Sequence, residues 1–266
     1  MELDPLILSY YEKGEEADRL YGGFPSGPLE FARTKEILER YLSPPPLDIL
    51  DVGGGPGVYA AWLAEQGYRV MLIDPVPLHV EQARSAHEGI DAEVGDAREL
   101  RQGNSMMDAV LLLGPLYHLV ERGDRVLAIR EAGRVLRPGG VLFVAVISRF
   151  AALLDLLLRA DRIHEPEVQR IVEVAVDTGV FEGAHDGLFT TAYFHLPREL
   201  RDEMSEAGFE EPEILQIEGP GGFVSDFAER WADEARREAL LATARLVERE
   251  PEMLGAGAHL MGVARR

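Results

Sequence analysis

Apolar residues in this chain form two kinds of run, which alternate along its first half. Short runs that are nearly continuous or alternate residue by residue predict buried β-strands. The predicted strands are 47–52, 68–73, 90–94, 107–113 and 141–147. Longer stretches with helical spacing or composition separate them. The predicted helices are 28–42, 58–66, 77–87 and 122–136. Strands that alternate with helices indicate an α/β fold with a mostly parallel sheet.

The alternation stops after the fifth predicted strand. Two helices rich in leucine and valine follow, at 148–160 and 165–177, and they must cover some other apolar surface. We therefore interpret 148–195 as a helical lid inserted after strand five. The sheet then resumes with strands at 212–217 and 257–264, separated by a long helix that Asp226 is expected to open. The whole of 1–266 is interpreted as one domain, with 1–42 as an N-terminal helical cover.

The most informative stretch runs from Ile49 to Gly57 and reads ILDVGGGPG. It predicts a strand that enters a tight glycine turn, followed by a helix whose first backbone amides face a ligand. Gly55, Gly57 and Ala60 also meet the looser dinucleotide-binding spacing, so the glycines alone leave a nicotinamide cofactor open. Asp51, two residues before Gly53, favours a different ligand class from a dinucleotide. A carboxylate beside free amides suits a ligand that carries a cation next to an anion, such as an amino acid.

Two motifs together resemble those of class I S-adenosylmethionine-dependent methyltransferases of the small-molecule type. Asp51 to Gly57 resembles their motif I, D-x-G-x-G-x-G, and Arg134 to Gly140 (RVLRPGG) resembles the string before their fifth strand. The resemblance implies a Rossmann-like, doubly wound, mostly parallel seven-stranded sheet. It also implies S-adenosyl-L-methionine as cofactor and methyl transfer to oxygen, nitrogen or carbon of a small-molecule acceptor. The alternatives are a nucleotide-dependent oxidoreductase and a non-catalytic S-adenosylmethionine-binding protein.

Cofactor-binding residues follow from strand ends and from the resemblance. Asp74 ends the second strand, where an acid accepts hydrogen bonds from ribose hydroxyls. The resemblance places Asp96 at the adenine amino group; on its own, Asp96 also suits a helix N-cap. Arg33 is a candidate for the carboxylate of the donor's methionine moiety, or a surface partner of Glu30 or Glu36. The predicted cofactor-binding residues are Asp51, Gly53, Gly55, Gly57, Asp74, Asp96, Ala97, Leu113, Gly114, Arg33 and Tyr11.

The candidate catalytic residues are Tyr117 and His118, which follow the fourth predicted strand. His118 is a candidate base or acceptor-orienting group, or a histidine packed under the lid, and Tyr117 is a candidate wall of the pocket. Two lid histidines, His185 and His195, are further candidates for substrate contact, whereas His164 suits a solvated helix cap. No HExxH spacing occurs, so we predict no metal site.

The charge and composition of the chain exclude some classes of binding partner. The 266 residues carry a formal net charge of −20, which repels nucleic acids and anionic membranes. The chain has no cysteine and no apolar run long enough to span a membrane, and its first residues do not resemble a secretion signal. These features predict a cytoplasmic protein that binds neither nucleic acid nor a membrane. The resemblance implies a small-molecule acceptor, and we expect a monomer or homodimer.

Overall fold

The computed structural model describes residues 11, 16–86, 89–184 and 187–266, and its centre is a seven-stranded sheet with the order β3-β2-β1-β4-β5-β9-β8. Every strand runs parallel to the others except β9, which lies antiparallel between β5 and β8. The fold is therefore the predicted Rossmann-like, mostly parallel sheet. Its strands are β1 Asp48–Val52, β2 Arg69–Asp74, β3 Asp91–Val94, β4 Met107–Leu112, β5 Leu136–Ile147, β8 Glu213–Gln216 and β9 His259–Arg265.

Helices pack on both faces of the sheet. One core includes Ile37 and Leu63 with Phe143, and the other includes Leu50 and Ile129; all of these side chains are fully buried. Successive strand residues such as Ile49 and Leu50 point into opposite cores, as the two-residue period of a strand requires. The helices are α1 Gly27–Tyr41, α2 Val58–Glu65, α3 Pro77–Ala86, α4 Arg122–Val135, α5 Ala151–Leu158, α6 Pro166–Thr178, α7 Pro197–Glu206, α8 Phe227–Ala232 and α9 Glu234–Val247.

The strand order creates a crevice between the carboxyl ends of β1 and β4. From β1 the chain builds outward through β2 and β3 on one side, and from β4 it builds outward through β5 on the other. Helices that leave these two strands diverge to opposite faces, so the space above them stays open. Ligands of doubly wound folds bind at this topological switch point.

The segment from 148 to 195 contains more than the two predicted helices. Besides α5 and α6 it forms a two-stranded antiparallel sheet, β6 Val180–Phe181 and β7 Ala192–Tyr193. Two residues per strand are too few to leave a periodic pattern, which is why the sequence did not reveal them. β7 packs against the turn Leu116–His118 that follows β4. The insertion therefore reaches the switch point.

Two boundaries differ from the sequence-based expectation. The long final helix is broken at Asp233 into α8 and α9, because the Asp233 carboxylate accepts a hydrogen bond from the Arg236 amide (2.9 Å) and starts a new helix there. Asp226 makes no such capping bond. Strand β5 begins at Leu136, earlier than predicted, and its register with β4 shifts between Met107 and Ala109. Among the described residues, no helix has both the length and the apolar composition needed to cross a bilayer.

Candidate functional site

A cavity of about 90 Å³ lies at the switch point. It is bounded by the glycine turn after β1, the ends of β2 and β3, the loop after β4 and the segment that precedes α1. Most of the predicted site residues line it. Those residues are Tyr11, Gly53, Gly55, Asp74, Asp96, Ala97, Gly114, Tyr117 and His118. The structure therefore brings these predicted residues together around one cavity.

The glycine turn requires glycine at two positions for different reasons. Gly53 has φ +71°, and a Cβ atom there would lie 2.7 Å from Cδ of Pro115, so the ends of β1 and β4 approach too closely for any side chain. Gly55 has φ +56° and faces the cavity between Glu16 and His79. A left-handed backbone without a side chain lets a ligand approach the main chain itself.

Asp51 lies beneath this turn rather than in the wall of the cavity. Its side chain is fully buried, and neither carboxylate oxygen has a hydrogen-bond partner within the described residues. Gly54 covers it so closely that a Cβ atom would come within 2.6 Å of Oδ2. Burial, together with the charge of Asp74, raises the pKa of Asp51 to about 7. The expectation that Asp51 faces the ligand directly is thus corrected, because the turn stands between them.

Asp74 lines the cavity and also anchors the turn. Its Oδ2 accepts a hydrogen bond from the Gly55 amide (2.9 Å). Its Oδ1 accepts one from the Val76 amide (2.9 Å) and lies 3.0 Å from Nδ1 of His79. A carboxylate offers about four acceptor sites, so three protein donors leave one site, on Oδ2.

Asp96 is placed at the far end of the cavity, and Arg98 engages its carboxylate. Both the amide and the guanidinium of Arg98 donate to it, at 2.7 to 3.3 Å. These bonds lower the pKa of Asp96 although burial opposes them. No helix begins at Asp96, so the helix-cap alternative is wrong, and the residue instead stabilises a turn.

Gly57 and Leu113 do not line the cavity. A Cβ atom on Gly57 would meet Ala83 at 3.1 Å, and Leu113 packs against the core.

Tyr117 and His118 form an aromatic wall with Tyr11 and Phe189. Nε2 of His118 lies 2.6 Å from the Tyr11 hydroxyl, and the His118 ring centroid is 4.6 Å from that of Tyr117 and 5.9 Å from that of Phe189. Burial lowers the pKa of His118 to about 4, and burial raises the pKa of Tyr117. Both side chains are therefore uncharged near pH 7.

Arg33 does not reach the cavity. Its side chain is fully buried, and its guanidinium donates to the carboxylates of Glu36 and Glu248 and to the Ile217 carbonyl. The bond to Glu248 ties α1, on which Arg33 lies, to the segment that follows α9. Arg33 is therefore not available to bind the carboxylate of a ligand. This corrects the expectation that it binds the methionine carboxylate of the donor.

His195 is also placed away from the cavity. It is fully buried at the end of the insertion, with Nε2 3.3 Å from Glu203 Oε2. Its backbone bonds to Ile147 and Arg149 join the two ends of the insertion, so it does not contact a substrate in this arrangement. His164 is exposed just before α6, and His185 falls outside the described residues.

A buried ion pair supports the loop that carries His118. Arg125 on α4 and Glu203 on α7 are both almost fully buried, with nitrogen–oxygen distances of 2.7 to 3.1 Å. The same guanidinium donates to the carbonyls of Leu119 (2.9 Å) and Val120 (2.6 Å) and stacks 3.7 Å from the Tyr193 ring centroid. Arg125 thus ties the loop after β4 to the insertion.

Within the described residues, three potential metal ligands come together outside the cavity. These are Glu30, Glu218 and His259, whose ligand atoms lie within 4.8 Å of one another. Glu30 already accepts two hydrogen bonds from Arg19, at 2.7 and 3.0 Å. Although burial opposes it, the adjacent Glu218 and Glu30 raise the pKa of His259 to about 9. A protonated histidine is no metal ligand, so the cluster fits an ion-pair network better than a metal site.

Sequence reasoning missed cavity residues that belong to no motif. Glu16, His79, Arg98 and Leu119 line the cavity beside the predicted residues. His79 offered one usable signal, its position in the first turn of the helix that follows Asp74. The others are brought to the cavity by tertiary packing and left no sequence pattern.

Comparisons with known proteins agree with this geometry. Residues 49–140 match a family described as a methyltransferase domain. A ubiquinone biosynthesis O-methyltransferase from Methylocella silvestris is 37% identical over 139 residues, which cover 46% of this chain and 53% of that protein. Another of that name, from Azorhizobium caulinodans, is 29% identical over 63% of this chain and 60% of its own length. The matches thus span little more than half of the length of these relatives.

A crystal structure described as a methyltransferase from Thermotoga maritima, a possible histamine N-methyltransferase, superposes with a TM-score of 0.58 at 18% identity. It covers 97% of this chain and 98% of its own, which supports the fold. Residues 49–140 therefore resemble a methyltransferase domain, and the whole described fold is like that of solved S-adenosylmethionine-dependent methyltransferases.

Proposed function

We propose that this chain transfers the methyl group of S-adenosylmethionine to a small-molecule acceptor, with an oxygen atom as the favoured acceptor among oxygen, nitrogen and carbon. The single observation that carries the proposal is the Asp51 carboxylate, which is buried without a partner in the described part of the chain directly beneath the glycine turn. A ligand cation above the turn would offset the cost of that buried group. The preference for oxygen rests on the names of the two O-methyltransferase relatives.

The residues present fit the cofactor. The left-handed turn at Gly55 exposes main chain to the cavity, Asp74 retains one acceptor site at the rim, and Ala97 leaves room at the end of β3. When bound, S-adenosylmethionine supplies a methyl group already activated by its sulfonium charge. The protein then has to align the acceptor and exclude water, and such alignment can contribute about 7–11 kcal/mol.

The acceptor is proposed to bind beside the aromatic wall of Tyr117, His118 and Phe189. This wall is uncharged near pH 7, so it suits a neutral, partly apolar molecule. Because a base with a pKa of about 4 accepts protons weakly, His118 is proposed to orient an acceptor hydroxyl by hydrogen bonding. The Arg125–Glu203 pair holds the loop that presents it.

Two segments are proposed to move. A cavity of about 90 Å³ is small beside the roughly 300–1,000 Å³ of ligand pockets, so we propose that the side chains of Tyr11 and Glu16 move outward as the donor binds. The insertion 148–195 is proposed to act as a lid, since Phe189 and β7 meet the loop after β4. Together they would close over donor and acceptor.

Calorimetry tests the donor assignment. S-adenosylmethionine and S-adenosylhomocysteine are expected to bind, and NAD and NADP are expected not to bind. Gly55→Ala should lower donor affinity by more than ten-fold, because its methyl group enters the cavity at a left-handed residue. Gly139→Ala is the matched control, since Gly139 is also left-handed (φ +80°) but has no atom within 4 Å of a built Cβ. NAD binding as tight as donor binding would reject the proposal.

A methyl-transfer assay then separates catalysis from binding alone. Tritiated S-adenosylmethionine should pass label to phenolic or other hydroxylated small molecules presented as a panel. If the donor binds but no label transfers to any nucleophile of the panel, the non-catalytic alternative replaces the enzymatic one.

A further inference from the structure

His79 has the properties of a ligand-contacting residue, although no motif includes it. It lies on α3, its side chain is only 3% exposed, and it lines the cavity. Its Nδ1 lies 3.0 Å from Asp74 Oδ1, while its Nε2 is buried with no hydrogen-bond partner in the described ranges. A buried ring nitrogen without a partner is unfavourable unless a ligand supplies one.

The hydrogen bonds of Asp74 explain why a second acceptor is needed at this place. Oδ1 is used by the Val76 amide and by His79, and Oδ2 is used once, by the Gly55 amide. One acceptor site therefore remains on a carboxylate that is expected to meet the two hydroxyls of a ribose. Asp74 alone can accept from only one of them.

The contact with Asp74 also sets the chemistry of His79. With the Nδ1 proton donated to the carboxylate, Nε2 carries the lone pair and becomes an acceptor. The Tyr11 ring packs edge-on against the imidazole, with centroids 5.2 Å apart. The imidazole is thus held between Asp74 and Tyr11, and Nε2 is its remaining acceptor atom.

We propose that His79 and Asp74 form a joint diol-binding pair, in which Asp74 Oδ2 accepts from one ribose hydroxyl of the donor and His79 Nε2 accepts from the other. This inference rests on the proposed function, since it assumes a ribose-bearing donor. His79 is then a specificity-determining residue for the sugar. It rejects deoxyribose analogues, because they leave the buried Nε2 without a partner.

The experiment combines side-chain and ligand changes. His79→Asn keeps an amide donor near the Nδ1 position and removes Nε2, whereas His79→Gln keeps an amide near the Nε2 position. The probes are S-adenosylhomocysteine and its 2′-deoxy and 3′-deoxy forms, with dissociation constants measured by calorimetry. Glu81→Ala, on the exposed side of the same helix, is the matched control and should bind like the wild type.

We expect His79→Asn to weaken S-adenosylhomocysteine about ten-fold and His79→Gln to weaken it less. One of the two deoxy ligands should bind the wild type about ten-fold more weakly, yet lose little further affinity in His79→Asn. That non-additivity identifies the hydroxyl that meets Nε2.

Two results would overturn the inference while leaving the proposed function intact. One is equal affinity of wild type and His79→Asn for S-adenosylhomocysteine, and the other is fully additive losses for both deoxy ligands. A wild-type protein that binds no S-adenosylhomocysteine would reject both. If His79→Asn fails to unfold cooperatively, His79→Phe decides, because it keeps an aromatic ring but no nitrogen: affinity and deoxy preference unchanged from wild type would show that Nε2 makes no contact.

Discussion

The proposed donor side of the cavity, at Gly53, Gly55 and Asp74, and its proposed acceptor side, at Tyr117, His118 and Phe189, are built by different means. The donor side is shaped mainly by main-chain geometry. It consists of a left-handed glycine turn, strand ends in register and the Asp74 carboxylate, which accepts a hydrogen bond from the turn. On the acceptor side, the loop with His118 is held by side chains from distant segments, above all Arg125 and Glu203. Backbone geometry constrains a sequence locally and strictly, whereas a side-chain clamp leaves the residues it presents free to vary. Such a construction suits a site in which the donor is always the same and the acceptor differs between related proteins.

The largest expected effect comes from breaking the clamp. Arg125→Ala leaves buried Glu203 with only His195 and, at 4.0 Å, the half-exposed Arg122, and it frees two loop carbonyls, so we expect a loss of about 3–5 kcal/mol in the free energy of unfolding. Urea denaturation measures this loss. Arg130→Ala on the same helix is the control, because its half-exposed pair with Glu206 is worth at most about 1 kcal/mol.

The same variant tests whether the two sides are independent. Folded Arg125→Ala should bind S-adenosylhomocysteine within a few-fold of the wild type, because the donor side does not use this clamp. If Arg125→Ala lowers donor affinity as strongly as it lowers stability, the two sides form one cooperative site and the distinction between them is wrong.

The next effect concerns pH on the donor side. Asp51 has a pKa raised to about 7, and a bound cation favours its charged form, so donor binding should release a proton. Affinity should therefore rise about ten-fold between pH 6 and 8 and level off above. Calorimetry in buffers of different ionisation enthalpy measures both affinity and proton release. Asp51→Asn should abolish the dependence; a flat wild-type profile would mean that the ligand charge does not reach Asp51.

Two histidines offer a smaller, spectroscopic test. The pKa of His118 is lowered to about 4 and that of His259 is raised to about 9, so neither ring should titrate between pH 5.5 and 7.5. Imidazole resonances followed by NMR would show it, assigned with His118→Gln and His259→Gln. A His118 midpoint near its ordinary 6.5 would restore a general base to the acceptor side.

The stability linked to these groups has opposite signs. Folding disfavours protonated His118, so stability is lost as the pH falls from about 6.5 to about 4. Folding favours protonated His259, so its contribution is complete below about 6.5 and is lost as the pH rises through about 9.

The smallest effect is expected in hydrogen exchange of the insertion. Helix α5 exposes Leu157 and Leu158 by about half and packs on few partners, so its amides should exchange faster than those of β1 and β4 in the free protein. S-adenosylhomocysteine should slow them by a few-fold if 148–195 closes as a lid. Equal protection in both states would mark the segment as a fixed element.

Prediction from sequence succeeded where the cause is local. Apolar runs located the strands of the seven-stranded sheet, and the glycine spacing located the turn, because backbone conformation depends on neighbouring residues. It failed where partners are remote in the chain. Arg33 was a candidate for the donor's carboxylate, but it pairs with Glu36, one of the alternative partners considered for it, and with Glu248, which becomes its neighbour only after α9 folds back. His195 was a candidate for substrate contact, but it lies against Glu203 of the next helix.

The strand pairing also has a consequence for how the chain folds. Asp48 pairs with Arg69 across a single helix, so the glycine turn and its neighbouring strand can form early from one short segment. Ile49 pairs with Ala109, and Val141 pairs with Arg265, which requires closing much longer loops. Because closing a longer loop costs more conformational entropy, the turn beside β2 should be shaped earlier in folding than the wall opposite it. The two walls of one binding site therefore depend on pairings of very different sequence separation.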